Sequence, residues 1–154
     1  MSNYSTNFSL LMELPNAAAL TYAETLFRQA FQILQGDEPP TDFPAELLNH
    51  TEDWFFEADS DVLNNQPRLW LHSGSGGIDA VCAFIQHLLQ KFALPDVVTF
   101  EWSHDCSNPR TDAYGGGAAV ITAQEIKSMS TGQWLRENTP DAAPSFQLQP
   151  PTLN

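Results

Sequence analysis

Residues 68–102, RLWLHSGSGGIDAVCAFIQHLLQKFALPDVVTFEW, read as a strand, a helix and a second strand. The segment 68–72 (RLWLH) is aromatic-rich and ends at the SGSGG run of 73–77. Ile78, Val81, Ile85, Leu88, Leu89 and Phe92 then fall on one helical stripe over 78–92. Pro95 ends the following turn, and VVTFEW at 97–102 is β-branched and aromatic, as a strand requires.

Upstream the same alternation of element types recurs. Residues 8–14 (FSLLMEL) form a short apolar strand stopped by Pro15. Asn16 is placed to cap a helix over 17–35, where Leu20, Ala23, Phe27, Ala30 and Leu34 share a face and Gly36 stands at the C-terminal end. DEPPTDFP at 37–44 is a loop, and 45–49 is a short helical turn. DWFFEAD at 53–59 is expected to be a strand that forms a hairpin with 68–72 across a fairly long connection including DVLNNQP.

Downstream, AAVIT at 118–122 is a strand, EIKSMS at 125–130 an added hairpin strand, and TGQWLRE at 131–137 a last helical turn. The order is therefore β-α-β-β-α-β plus an extra C-terminal strand or hairpin. That is an α+β fold of the ferredoxin-like split βαβ plan, an antiparallel sheet with both helices on one face. Residues 1–137 form one domain, and 138–154 (NTPDAAPSFQLQPPTLN) a proline-rich tail that can lie along the domain through Phe146 and Leu148. The uncovered sheet face and the long loops are the expected binding surfaces, with Trp54, Phe56, Trp70 and Trp102 supplying aromatic area there.

The formal net charge is −13, from 19 acids against six Lys and Arg. Nine acids, Asp37, Glu38, Asp42, Glu46, Glu52, Asp53, Glu57, Asp59 and Asp61, fall in the 25 residues 37–61 without a Lys or Arg among them. Direct nucleic-acid binding needs clustered cations and is excluded on this pattern. The acids form either a solvated face or a surface that docks on a basic protein, including a nucleic-acid-binding one. No apolar run reaches about 20 residues and MSNYSTNF at 1–8 has neither a basic n-region nor an apolar h-region, so no signal peptide is expected and a cytoplasmic protein without membrane attachment is. Two cysteines, Cys82 and Cys106, suit a reducing compartment.

The loop 103–117 gathers reactive side chains: His104, Asp105, Cys106, Arg110, Asp112 and Tyr114, followed by Gly115, Gly116 and Gly117. It is the alternative site, for a small-molecule binder or small enzyme. Against it, His104 and Cys106 are near neighbours in sequence and do not converge by spacing. Two ligands do not complete a metal site, so neither a metal, a cofactor nor a catalytic residue is assigned. The structural reading pairs Arg110 with Asp112 or Asp105 as a clamp and lets Tyr114 plug the core edge, with the glycines giving a bulge or close backbone approach. SGSGG lacks both the Gly-Lys-Ser/Thr ending and the G-x-G-x-x-G spacing of phosphate cradles, and is read as a connector. Asp59-Ser60-Asp61 with Asn64 lacks the glycine and glutamate of a calcium loop. His50, His72, His87 and His104 are scattered and read as ordinary surface or half-buried residues.

The pattern W-S-x-x-C-S-x-P-R-x-D-x-x-G-G-G-A-x-x-I-T-A-x-x-I over 102–126, with Trp134 downstream and AVCAFIQHLLQKF upstream, resembles a family of small acidic bacterial proteins of uncharacterised activity. Some of these are carried by phages and plasmids. The likeness spans roughly residues 69–135 and implies no catalytic residues. The mobile-element setting implies a counter-defence inhibitor of anti-CRISPR, antirestriction or DNA-mimic type, and homodimers are a further expectation.

Overall fold

The first strand, β1 (Tyr4–Glu13), lies inside the sheet and pairs on both sides, with β3 and with β4. The computed structural model describes residues 4–106 and 114–140. After β1 come α1 (Ala17–Leu34), α2 (Ala45–Leu48), a 3-10 turn at Thr51–Asp53, β2 (Glu57–Leu63), β3 (Gln66–Ser73), α3 (Ile78–Lys91), β4 (Val98–Cys106), β5 (Gly115–Ile121), β6 (Ile126–Ser130) and α4 (Thr131–Asn138). The six strands form one antiparallel sheet in the order β2-β3-β1-β4-β5-β6. This is a mixed α+β architecture, and its six-strand order differs from that of a bare ferredoxin-like sheet.

Alternation along the strands separates two faces. Phe8, Leu10, Met12 and Leu14, with Leu69, Leu71, Phe100, Ala119 and Ile121, point into one core. Against them pack Ala19, Ala23, Leu26 and Ala30 of α1 and Val81, Phe84, Ile85, Leu88 and Leu89 of α3. Both long helices therefore cover the same face. Asn16 caps α1 by accepting the Ala19 N–H at 2.9 Å, and Gly36 follows it at φ 108°. No helix among the described residues is long and apolar enough to cross a membrane.

Four expectations are corrected. The strand expected at 53–59 begins only at Glu57; Trp54 and Phe56 instead turn inward and pack with Phe27 and Phe84 in an aromatic cluster. Aromatic transfer into the core outweighs strand propensity there. The connection from β2 to β3 is not long: Asn64 and Asn65, at φ 53° and 66°, make a two-residue turn whose left-handed backbone matches the strand twist. β4 continues through Ser103, His104, Asp105 and Cys106, because β1 pairs with it as far as Cys106 and β5 as far as His104. Of the four aromatics placed on the open face, only Trp70 is there. Trp54 and Phe56 are buried, and Trp102 lies on the core side, opposite Phe8 and Gly117.

Candidate functional site

The face turned away from α1 and α3 is open among the described residues. Register places Glu57, Asp59 and Asp61 of β2 opposite His72, Trp70 and Arg68 of β3. Trp70, Leu11 and Ser9 continue the face into β1, then Thr99, Glu101 and Ser103 of β4, Ala118 and Val120 of β5, and Lys127 and Met129 of β6. Apolar side chains occupy its middle: Leu11, Trp70, Val120 and Met129 are all 40–51% exposed. Around them stand Glu13, Glu57, Asp59, Asp61, Glu101 and Asp105, six carboxylates among the described residues, against Arg68 and Lys127.

Side chains on the β2–β3 side are held in place by one another. Arg68 donates to Asp61 through Nε and Nη2 at 2.8 and 2.7 Å, a forked pair that holds the Asp61 carboxyl below the usual carboxylate range. His72 Nε2 is hydrogen-bonded to Asp59 Oδ2 at 2.8 Å, and its ring stacks on Trp70 with centroids 3.8 Å apart. The Trp70 indole N–H donates to Ser9 Oγ at 2.7 Å. The half-exposed indole is thus held by His72 and Ser9, at little rotamer cost to a binding partner.

Two hollows open on this face. A shallow groove of about 600 Å³ is lined by Ser9, Leu11, Thr99, Glu101, Ala118 and Val120. A smaller one of about 70 Å³ lies between Leu11, Trp70, Asp59 and Asp61.

The nine acids of 37–61 do not form one cluster. Asp37, Glu38 and Asp42 lie in the loop between α1 and α2, Glu46 on α2, and Glu52 and Asp53 in the 3-10 turn. Asp53 is half-buried; burial, then the nearby Asp79, raises its carboxyl above the usual range, and the Ala80 backbone amide offsets part of that rise. Only Glu57, Asp59 and Asp61, spaced two apart on β2, share the open face. Glu13 and Glu101 join them there and were missed in sequence. The available signal is period-two alternation, which puts Glu13 on the side of Ser9 and Leu11.

At the end of β4 the reactive residues diverge. His104 and Cys106 lie on one side and Asp105 on the other, as alternation demands. His104 Nδ1 is hydrogen-bonded to Thr6 Oγ1 at 2.8 Å. Tyr114 is exposed and does not plug the core, a correction to the expected role. Arg110, Asp112 and the expected clamp lie outside the described residues, as do residues 141–154 of the tail. The SGSGG connector is bound internally: Ser73 Oγ donates to the Phe55 carbonyl and accepts the Ser75 N–H.

One polar constellation was not legible in the sequence. His87 on α3 bridges Tyr22 on α1 and Glu46 on α2, with Nε2 2.8 Å from the Tyr22 hydroxyl and Nδ1 2.8 Å from Glu46 Oε2. A neutral imidazole protonated at Nδ1 satisfies all three groups, accepting from Tyr22 and donating to Glu46. The bond to His87 holds the Glu46 carboxyl below its ordinary range, while burial and then Glu46 push the Tyr22 phenol up. A crevice of about 230 Å³ beside it is lined by Glu46, His50, Asp79, Cys82, His87 and Ser128, among others. Burial pushes the Cys82 thiol up to about 12, so it packs as a core sulfur rather than as a thiolate nucleophile. Among the described residues no three His, Cys, Asp or Glu side chains are grouped to hold a metal ion.

Compared with known protein families, curated proteins and solved structures, the chain matches none of them.

Proposed function

We propose that this protein is a non-enzymatic interaction protein that docks on a basic protein surface through the open face of its sheet. The observation that carries this reading is a sheet face that, among the described residues, is open and has an apolar centre with a rim of six carboxylates against two permanent cations. A buried apolar centre supplies affinity, while a charged rim supplies encounter rate and choice of partner. A nucleic-acid-binding protein fits as partner, because its phosphate-binding surface is cationic. Counter-defence inhibition by occupying such a surface is the sharpest form of the proposal. The net charge of −13 and the resemblance of the 102–126 segment support it.

The same reading extends to the fold. Strands β2-β3-β1-β4 with α1 and α3 are proposed to be a split βαβ unit widened by β5 and β6. Its support is the antiparallel pairing throughout and the single core under both helices.

The test compares two sets of substitutions in the full chain. One set is Glu13→Gln, Glu57→Gln and Glu101→Gln on the open face, chosen because Asp59 and Asp61 already hold His72 and Arg68. The other is Asp37→Asn, Glu38→Gln and Asp42→Asn in the loop. A basic partner captured from the host at low salt and then purified should bind the first set several-fold more weakly and the second set unchanged. Equal affinity and equal salt dependence for wild type and the open-face set would overturn the proposal.

A further inference from the structure

The smaller hollow of the open face, about 70 Å³, is lined by Leu11, Asp59, Ser60, Asp61, Arg68 and Trp70. His72 stacks on Trp70 but does not line the hollow, which therefore opens on the side of the indole toward Arg68. Register sets Leu11 and Asp59 opposite Trp70, one on each neighbouring strand. Arg68 is forked onto Asp61. Among the described residues the ring that carries a cation is Tyr22, under Lys91, and none lies over Trp70. Asp59 gives its Oδ2 to His72, and its Oδ1 has no hydrogen-bond partner among the described residues. The Asp59 side chain is 62% exposed, so that oxygen can be reached from outside.

Resting on the docking reading above, we infer that this hollow takes the guanidinium of an arginine on the basic partner. Two carboxylates, Asp59 and Asp61, stand against the single guanidinium of Arg68, so with His72 neutral the hollow is one positive charge short. The same count turns an anion away. An indole attracts a cation through its negative face, and the flat guanidinium stacks there as an ammonium cannot. It also brings N–H donors to the open oxygen of Asp59, in a charge-assisted bond. The hollow's volume of about 70 Å³ matches roughly two waters at about 30 Å³ each. That suits the end of one side chain, not a whole small molecule. His72 and Ser9 already brace the indole, so Trp70 loses little freedom on binding. Trp70 and Asp59 thus anchor the partner, with Glu13, Glu57 and Glu101 around them on the same face.

The probe is a capped Gly-Arg-Gly peptide, followed by the NMR shift of the Trp70 indole N–H in the full chain at about pH 8, where a histidine is neutral. The controls are Gly-Lys-Gly and Gly-citrulline-Gly, whose urea has the shape of the guanidinium without its charge. The arginine peptide should bind roughly three- to ten-fold tighter than the citrulline peptide, and tighter than the lysine one. Asp59→Asn keeps an acceptor for His72 and should weaken the arginine peptide roughly two- to five-fold. Trp70→Leu, read on the backbone amides of Leu11 and Asp61, should weaken it by a similar factor. If that variant unfolds, Leu11→Arg asks the same question, since a guanidinium of the chain's own beside the indole should abolish binding. Equal binding of the arginine and citrulline peptides, or a lysine peptide bound as tightly, overturns the inference. A purified partner weakened by the Glu13, Glu57 and Glu101 substitutions but indifferent to Trp70→Leu and Asp59→Asn also overturns it, and leaves the acidic docking face standing. A partner indifferent to every one of these substitutions overturns both.

Discussion

The indole of Trp102 lies across Gly117 on the neighbouring strand, so that a Cβ at Gly117 would overlap Cζ2 of Trp102 and the carbonyl oxygen of Met129. The glycine run therefore serves close packing at the β4-β5-β6 end of the sheet. Gly116 is equally constrained, since a Cβ there would overlap the Trp102 carbonyl.

Gly117→Ala is expected to destabilise the fold by roughly 1–3 kcal/mol through overpacking. Trp102→Leu should also destabilise, and the double substitution should cost less than the sum, because the smaller side chain relieves one of the two overlaps. Urea unfolding of the four proteins checks this. Wild-type stability in Gly117→Ala would show that the indole moves aside freely.

The Tyr22–His87–Glu46 bridge predicts a pH signature. The folded Glu46 carboxyl lies below its ordinary value, so its contribution is present above about pH 4.3 and is lost as pH falls through the lowered folded value. The folded Tyr22 phenol is raised, so its contribution is present below about pH 10 and is lost as pH rises past the folded value. Glu46 is more than half exposed, so Glu46→Gln should cost only roughly 0.2–1 kcal/mol at neutral pH. Melting temperatures of wild type and Glu46→Gln should converge in acid. A gap that widened below about pH 4 would contradict the bridge.

Trp54 is 1% exposed among aromatic neighbours, and its indole N–H has no hydrogen-bond partner among the described residues. Trp54→Phe keeps the aromatic contact and removes an unsatisfied donor, so it should lie within about 1.5 kcal/mol of wild type. Trp54→Ala should cost roughly 3–5 kcal/mol through the cavity it leaves. Guanidinium unfolding followed by circular dichroism distinguishes them, and similar losses for both would mean that the N–H is satisfied.

Local periodicity made the two long helices and most strands legible. The spacing of Leu20, Ala23, Phe27 and Ala30, or of Ile78, Val81 and Ile85, records the helix turn within a single segment. DWFFEAD misled because aromatic enrichment signals burial as well as strand. Which of the two prevails depends on Phe27 and Phe84, which arrive from other helices. The Asn64-Asn65 turn carried a readable signal, since asparagine tolerates the left-handed backbone that a two-residue hairpin needs.

The candidate site divides in the same way. The acid content of 37–61 and the absence of clustered cations are properties of the chain itself, and with them its net charge and the sign of a partner it can attract. Alternation along each strand likewise decided which residues share a face. Only the tertiary structure separated Asp37 and Glu46 from Asp61 and set Glu13 and Glu101 on the same sheet face as Asp59. It alone joined Tyr22, Glu46 and His87 into one bridge. The physical reason is that secondary structure follows from short-range sterics and hydrogen bonding, whereas a surface is assembled from strand order and register, which non-local burial decides.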